Sequence, residues 1–407
     1  MNILTLNFSP KGEKSVTYQY YLFAKQYFKK DTDQIEDLMI GKEFSIFRTD
    51  ALYKKSVCEK IQRADIIYVI SPVYAYLLPG QFYDFYNSVE DSAFVGKNVF
   101  AIISSAKVHD DITIQDFYNF CHEKKVGQYN IISLDMDLND EKKVKKEICS
   151  FISYNNFLLT PEIMNSNDEK IVVLTDNDDN NDIISTVFNT LGKNIPVVNI
   201  VNRRINYCRG DLSCMLDKCI YHNDDFEEIF DFLLNSSIII FSFSGSSFSG
   251  ILRSFFSRAL SVGQHHESLP DKQMIFINRE NSNLINDWIK SYAEMQSSHL
   301  VGIINKNTTI FEINSIVQKA LWSSKNNFIP PCTYLKKGAY SIFREVVNTS
   351  GYVMPHDIDH LTKQGVNTLR IKLFKFINFF LVLKPIRKRL IKVIPDIMMK
   401  KQKKLWW

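Results

Sequence analysis

Residues 7–17, NFSPKGEKSVT, follow a short apolar run, Ile3-Leu4-Thr5-Leu6, and lead into a helix-like stretch. Ser9, Ser15 and Thr17 offer hydroxyl donors, and Lys11 and Lys14 offer positive charge. A loop of this kind between a strand and a helix suits an anion. The first turn of a helix leaves N–H groups unpaired and carries a partial positive charge, so a phosphate monoester fits. The loop matches neither G-x-x-x-x-G-K-[ST] nor G-x-G-x-x-G, because Gly12 is its only glycine. The corresponding place in the second half reads LTDNDDNND (174–182). There Asp176, Asp178, Asp179 and Asp182 repel a phosphate. As a calcium loop counted from Asp176 it fails, with Asn181 and Val187 where Gly and Glu are needed, so it reads as a solvated acidic turn.

These loops need a scaffold, and the apolar pattern supplies one. Runs at 2–7, 65–71, 97–104 and 129–134 are short and lack helical periodicity, as buried parallel strands do. Helical patterns at 15–29, 50–63, 79–88, 112–123 and 140–155 separate them. After a polar linker, NSNDE (165–169), the alternation restarts. Strands are expected at 170–176, 197–201, 237–243, 273–278 and 299–304, and helices at 182–192, 224–235, 249–261, 284–296 and 309–321. ADIIYVISPVYAYLLPGQFYDFYN (64–87) lines up with SSIIIFSFSGSSFSGILRSFFSR (236–258), which reads as a diverged internal duplication. The expected fold class is α/β: two tandem doubly wound parallel-sheet units over 1–160 and 166–329, then a basic amphipathic helical tail over 330–407.

The 407 residues suit two or three domains. Met1 opens directly on a strand-like run, without the basic and apolar regions of a signal peptide. Cys58, Cys121, Cys149, Cys208, Cys214, Cys219 and Cys332 are an odd number and fit reduced thiols better than a disulfide framework. A cytoplasmic protein is the expectation.

MNILTLNFSPKGEKSVT resembles the opening of flavodoxin-like NAD(P)H-dependent FMN reductases, whose pattern is close to NGSPR…SNT. ISPVYAYLLPGQFYDFYN (70–87) is similar to that family's GSPVYWGGMPGQLKAFLDR, and GKNVFAIISSA (96–106) to its GK…TGG strand and loop. The three blocks fall in the family's order over residues 1–160. The resemblance implies FMN as cofactor and NAD(P)H as electron donor. Ser9, Lys11, Ser15 and Thr17 would hold the FMN phosphate. Pro72, Val73 and Tyr74 would line the isoalloxazine ring, with Ser104 and Ser105 at its other edge. The sequence departs from the pattern at Phe8, at Tyr76 and Leu77 where the family has two glycines, and at Asn87-Ser88. Bulk at Tyr76 and Leu77 narrows or roofs the site.

The second unit resembles the iron–sulfur flavoprotein branch of the same family. INYCRGDLSCMLDKCIYHNDDFEEI (205–229) keeps Cys208, Cys214 and Cys219 of that branch's cysteine block, with Asp211 where another cysteine would stand. Four thiolates are what a cluster normally needs. Asp211 as an oxygen ligand to a labile cluster is one reading. The expected one is a lost cluster, ordinary thiols and no metal. FSGSSFSG (243–250) fails the G-x-S-x-G pattern at Ser249, and His265-His266 reads as surface. Unit two is therefore expected to be a degenerate partner domain, an in-chain pseudo-dimer half.

Residues 363–407 carry 13 Lys and Arg against the single Asp396, while the whole chain is only +4, so the remainder is acidic. Ile386, Leu390, Val393 and Ile394 share a helix face, with Arg387, Lys388, Arg389 and Lys392 away from it, and Leu405-Trp406-Trp407 closes the chain. An anionic membrane surface at the inner face of the membrane suits this pattern. Packing of Phe374–Leu383 on the body is the alternative, and nucleic acid is not expected. The functional expectation is an FMN-dependent NAD(P)H oxidoreductase with a quinone-like or other acceptor. The alternatives are a non-catalytic flavodoxin-like scaffold and a flavin electron carrier.

Overall fold

Apolar runs without alternation become strands only where both faces are covered, and that is where they lie. The computed structural model describes residues 1–28, 34–106, 109–135, 141–176, 181–192, 195–209, 219, 221, 223–243, 248–259, 267–350, 355–363, 366, 368–381, 389 and 393. Among them the chain forms two units. Unit 1 comprises Met1–Ile163 with Pro330–Lys337, and unit 2 comprises Met164–Ile329 with the chain from Gly338.

Unit 1 runs β1 (Asn2–Asn7), α1 (Val16–Lys25), β2 (Gln34–Leu38), α2 (Phe44–Thr49), α3 (Ala51–Arg63), β3 (Ile66–Pro72), α4 (Gly80–Ser88), β4 (Asn98–Ser105), α5 (Asp110–Glu123), β5 (Gln128–Asp135) and α6 (Glu141–Leu159). Its sheet is all parallel, in the order β2-β1-β3-β4-β5. Every residue of β3 is buried, as are all of β4 but its first. Sequence periodicity does not announce β2, QIEDL. It is an edge strand carrying Glu36 and Asp37, with only Leu38 fully buried. Asp37 accepts hydrogen bonds from Tyr21 (2.7 Å) and Tyr18 (3.0 Å) and pairs with Lys25 at 2.9 Å, which ties this edge to α1. Asp50 starts α3 by accepting the N–H groups of Leu52 and Tyr53.

Unit 2 repeats the plan with β6 (Ile171–Thr175), α7 (Asn181–Leu191), β7 (Val197–Asn199), α8 (Phe226–Leu234), β8 (Ile238–Phe243), α9 (Gly250–Ala259), β9 (Gln273–Asn278), α10 (Asn283–Met295), β10 (His299–Ile304) and α11 (Ile310–Lys325). The order β10-β9-β8-β6-β7 is that of unit 1 written from the other edge. Both sheets thus follow the flavodoxin-like order 2-1-3-4-5. β7 ends before the expected residue 201 because Ile200–Asn202 turns into a short 3-10 helix under the Asn199 side chain. The T-x-x-E stretch opening α11 closes a capping box between Thr309 and Glu312.

Three helices follow: α12 (Tyr334–Ser350), α13 (Pro355–Lys363) and α14 (Leu369–Leu381). Phe343, Val347, Ile358, Leu361 and Ile371 bury one another among them. Among the described residues no helix is long and apolar enough to cross a membrane. The stripe expected at Ile386, Leu390 and Ile394, its basic residues Arg387, Lys388 and Lys392, and the terminal Leu405-Trp406-Trp407 lie outside the described residues.

Candidate functional site

In unit 1 the connections after β1 and β3 lead to opposite edges of the sheet, and in folds of this order ligands sit at the carboxyl ends of such strands. The first loop is built around Asn7. Its side chain accepts the Ser9 N–H (2.9 Å) and donates to the Gly12 carbonyl (3.2 Å). Gly12 turns the chain at φ +54°, where a side chain is strained. Gly41 is pressed so close that an added Cβ would lie 2.2 Å from the Phe8 carbonyl oxygen. Phe8, where the resembled pattern has glycine, points away from this loop. It is buried against Phe82 and Phe85, with ring centroids at 5.2 and 5.1 Å. Burying such a ring contributes about 1.5–3 kcal/mol to folding and leaves the loop path intact.

Ser15 stands at the N-cap of α1 with extended backbone, and its hydroxyl makes no capping bond. Ser9, Ser15 and Thr17 are all buried, whereas Lys11 is exposed and reaches Ser9 only through its own N–H (3.3 Å). The loop's single acid, Glu13, is held below the usual carboxylate range by its backbone N–H and by Lys42, which it meets at 3.1 Å. The Thr17 hydroxyl pairs with that of Ser104, so the first loop is bonded directly to the end of β4. The Val73 N–H donates to the Ser104 carbonyl (2.9 Å), which brings in the end of β3. The expected residues Ser9, Ser15, Thr17, Pro72, Val73, Ser104 and Ser105 therefore surround the carboxyl ends of β1, β3 and β4.

Tyr74 and Leu77 exchange backbone hydrogen bonds of 2.8 and 3.0 Å across a two-residue turn. Its central residues, Ala75 (φ +47°) and Tyr76 (φ +73°), are both left-handed, a geometry normally left to Gly or Asn. The turn thus keeps a backbone suited to glycine while carrying a large ring at Tyr76. Tyr74, Tyr76 and Leu77 are 44%, 50% and 41% exposed. The Tyr76 carbonyl accepts the Thr113 hydroxyl at 2.8 Å, which fixes the turn to α5.

Sequence reasoning missed a second group at the same end of the sheet. Asp110 is fully buried at the start of α5. Its carboxylate accepts the hydroxyls of Ser133 and Ser105, and it accepts the Tyr334 N–H at 2.7 Å. Lys337 pairs with Asp135 at the end of β5. The returning segment 330–337 is thereby strapped over the ends of β4 and β5. Its Tyr334 ring lies 4.2 Å from the ring of His109, which meets Tyr76 edge-on at 5.0 Å. Asp110 and Tyr334 are 224 residues apart in sequence, so no local pattern could have joined them.

The equivalent place in unit 2 is different in chemistry. Asp176 is buried at the end of β6, and Asp182 pairs with Arg279 at 2.7 Å. Asp178 and Asp179 lie outside the described residues. Ser249 accepts the Leu252 N–H at 3.3 Å, as a cap of α9. Cys208 is exposed and Cys219 half-buried, while Asp211, Cys214, His265 and His266 are outside the described residues. Among the described residues no group of three or more His, Cys, Asp and Glu could hold a metal ion. Close to Cys208 in sequence, Asp224 forms a buried ion pair with Arg258. Arg258 also donates to the carbonyls of Tyr221 and Asn206 and stacks 4.4 Å over Phe226.

No protein-family model matches the chain, and no curated protein matches it. Among solved structures it is similar to the apo form of an NADH:FMN oxidoreductase, at 16% identity and a TM-score of 0.35, covering 40% of this chain and 91% of that one. It is similar to an FMN-dependent NADH-azoreductase from Bacillus anthracis in complex with FMN, at 12% identity and a TM-score of 0.31, covering 39% and 100%. An NADPH-quinone reductase from P. pentosaceus is similar at 15% identity and a TM-score of 0.28, covering 40% and 98%. At such identities the chemistry has to be argued from this chain's own residues.

Proposed function

We propose that unit 1 binds FMN and that the chain passes electrons from NADH or NADPH to an acceptor such as a quinone. The observation that carries this reading is the N-terminus of α1, which Ser15 leaves uncapped among the buried hydroxyls of Ser9, Ser15 and Thr17. A phosphate supplies the negative charge and the acceptor oxygens that this arrangement lacks. The residues fit the group, since Glu13 is paired with Lys42.

Bound FMN would supply the redox chemistry, taking a hydride from the nicotinamide and giving electrons to the acceptor. The chain's own residues bind and orient. Ser9, Ser15 and the first-turn N–H groups of α1 hold the phosphate, and Thr17 fixes the loop to β4 through Ser104. Pro72, Val73 and Tyr74 take one edge of the ring, and Ser104 and Ser105 the other. Tyr76 and Leu77 narrow the approach and exclude water. That narrowing favours one second reading, a flavin electron carrier without a nicotinamide site. Unit 2 serves as the in-chain counterpart of a partner subunit, and one FMN per chain is expected.

The test is the visible spectrum of the full chain after FMN addition and desalting, then after NADPH under nitrogen. A flavin spectrum that bleaches supports the reductase, and one that persists supports the carrier. A chain that retains no flavin refutes both. Ser15→Asp sharpens the test. Aspartate is a favoured N-cap, so the helix is kept while a carboxylate enters the phosphate seat. Flavin retention should fall at least tenfold with no loss of stability, and unchanged retention would show the site is elsewhere.

A further inference from the structure

We propose that α14 docks the protein on an anionic lipid surface, lying along it rather than crossing it. The helix already has a buried face, where Ile371 and Phe374 pack with α12 and α13. A surface helix ordinarily turns polar residues outward from such a face. Here Leu369, Leu373 and Phe376 face outward instead, 85%, 54% and 64% exposed. At about 100° per residue, positions i, i+4 and i+7 fall within an arc of about 60°, on the side away from Ile371 and Phe374. Arg370 and Lys372, both exposed, stand on either flank of this stripe. α12 adds Ile342 and Val346, 71% and 45% exposed.

The charge of the chain commits the occupant. Thirteen Lys and Arg against one acid lie between Lys363 and Trp407, in a protein whose total is only +4. A polyanion alone would be met by the charges and would leave the apolar stripe in water. An apolar protein groove would leave the charges without a purpose. A bilayer with anionic headgroups takes both, with the stripe at the acyl boundary and the cations among the phosphates. Over its described residues α14 is 13 residues long, too short to span by itself.

The experiment is co-sedimentation of the full chain with sucrose-loaded vesicles of phosphatidylcholine, with and without phosphatidylserine. The expected result is binding at least tenfold tighter with phosphatidylserine. Leu373→Ser with Phe376→Ser should weaken it at least tenfold. Arg370→Gln with Lys372→Gln should weaken it by about fivefold per charge removed. All four positions are exposed, so an unchanged thermal melt serves as the folding control. No binding by the parent chain overturns the proposal. So does binding indifferent to the Leu373 and Phe376 changes and displaced by heparin, which marks a polyanion site. Self-association in the absence of vesicles that the same two changes abolish also overturns it, because the stripe is then a contact between copies.

Discussion

Removing the Asp110 carboxylate should release the strap at 330–337. Asp110→Ala deletes the acceptor of the Tyr334 N–H (2.7 Å) and of the Ser133 hydroxyl, both at a fully buried site. Hydrogen bonds to a charged group contribute about 1.5–3 kcal/mol each. Ser133 can turn to the Ser105 hydroxyl 3.2 Å away, which offsets part of its loss, while the Tyr334 N–H loses its 2.7 Å acceptor outright. The net cost to unit 1 is then about 2–4 kcal/mol. For the Tyr334 amide alone, losing about 1.5–3 kcal/mol corresponds to a tenfold to hundredfold fall in hydrogen-exchange protection. Exchange read on a peptide spanning 330–337 measures this directly. Asp110→Asn keeps one carbonyl oxygen for Tyr334 and should fall between the parent and the alanine variant. Asp111→Ala, on the same helical turn, is the control. Unchanged protection in Asp110→Ala, with unit 1 still folded, would refute the claim that this carboxylate holds the strap.

Other consequences can be checked in the same way. His299 is buried, and burial together with the nearby Lys319 ammonium lowers its pKa to about 3. The unfolded state binds a proton below about pH 6.5 that the folded state refuses, so stability should fall by about 1.4 kcal/mol per unit between pH 6.5 and 4.5. His299→Gln should flatten that slope in urea unfolding, and an unaltered slope would place its origin elsewhere. Burial alone would raise the Asp224 carboxyl, but Arg258 and the Asn206 N–H outweigh it and hold the group below the usual range. Arg258→Met strands this buried carboxylate and should cost about 3–5 kcal/mol in unit 2, with Asp224→Asn in the same chain recovering part of it. Ala75→Gly should raise stability by about 0.5–1 kcal/mol, because left-handed strain of about 1–2 kcal/mol is relieved against the added chain entropy of glycine. A drop in the urea midpoint would mean the φ of +47° carries no strain.

The sequence showed most clearly what burial makes uniform. IIYVISP and QMIFIN carry continuous apolar runs with no alternation to suggest an exposed face, and they became central strands. QIEDL did not look like a strand, because an edge strand pairs its backbone on one side and can spend its side chains on an ion-pair network. The hydroxyl loop was legible because its residues are local: Asn7, Ser9, Gly12, Ser15 and Thr17 fall within eleven positions. The strap was not, because Asp110 and Tyr334 meet only after the whole of unit 2 has been traversed. Tyr76 stood out in sequence as bulk where glycines were expected. Its left-handed backbone is a geometry that glycine adopts without strain, so the conformation and the bulk of the residue pull in opposite directions.

The two units set the same backbone order against opposite chemistry, and that contrast separates fold from function. In both, the loop after the first strand sits where the order reverses. In unit 1 that loop presents buried hydroxyls at an uncapped helix start, and its one acid is paired. In unit 2 it presents Asp176 and Asp182, and Asp182 spends its charge on Arg279. A carboxylate about 6 Å from a doubly charged phosphate costs roughly 1–5 kcal/mol for effective dielectrics between about 80 and 20. One uncompensated negative charge at that distance would weaken anion binding about tenfold to several thousandfold. Asp182, already compensated, is not the decisive one. Its removal should leave flavin content unchanged, because the acids that remain still repel the anion. Topology alone would allow a site in each unit, and the difference in charge beside the first strand is why the proposed reading places the flavin in unit 1.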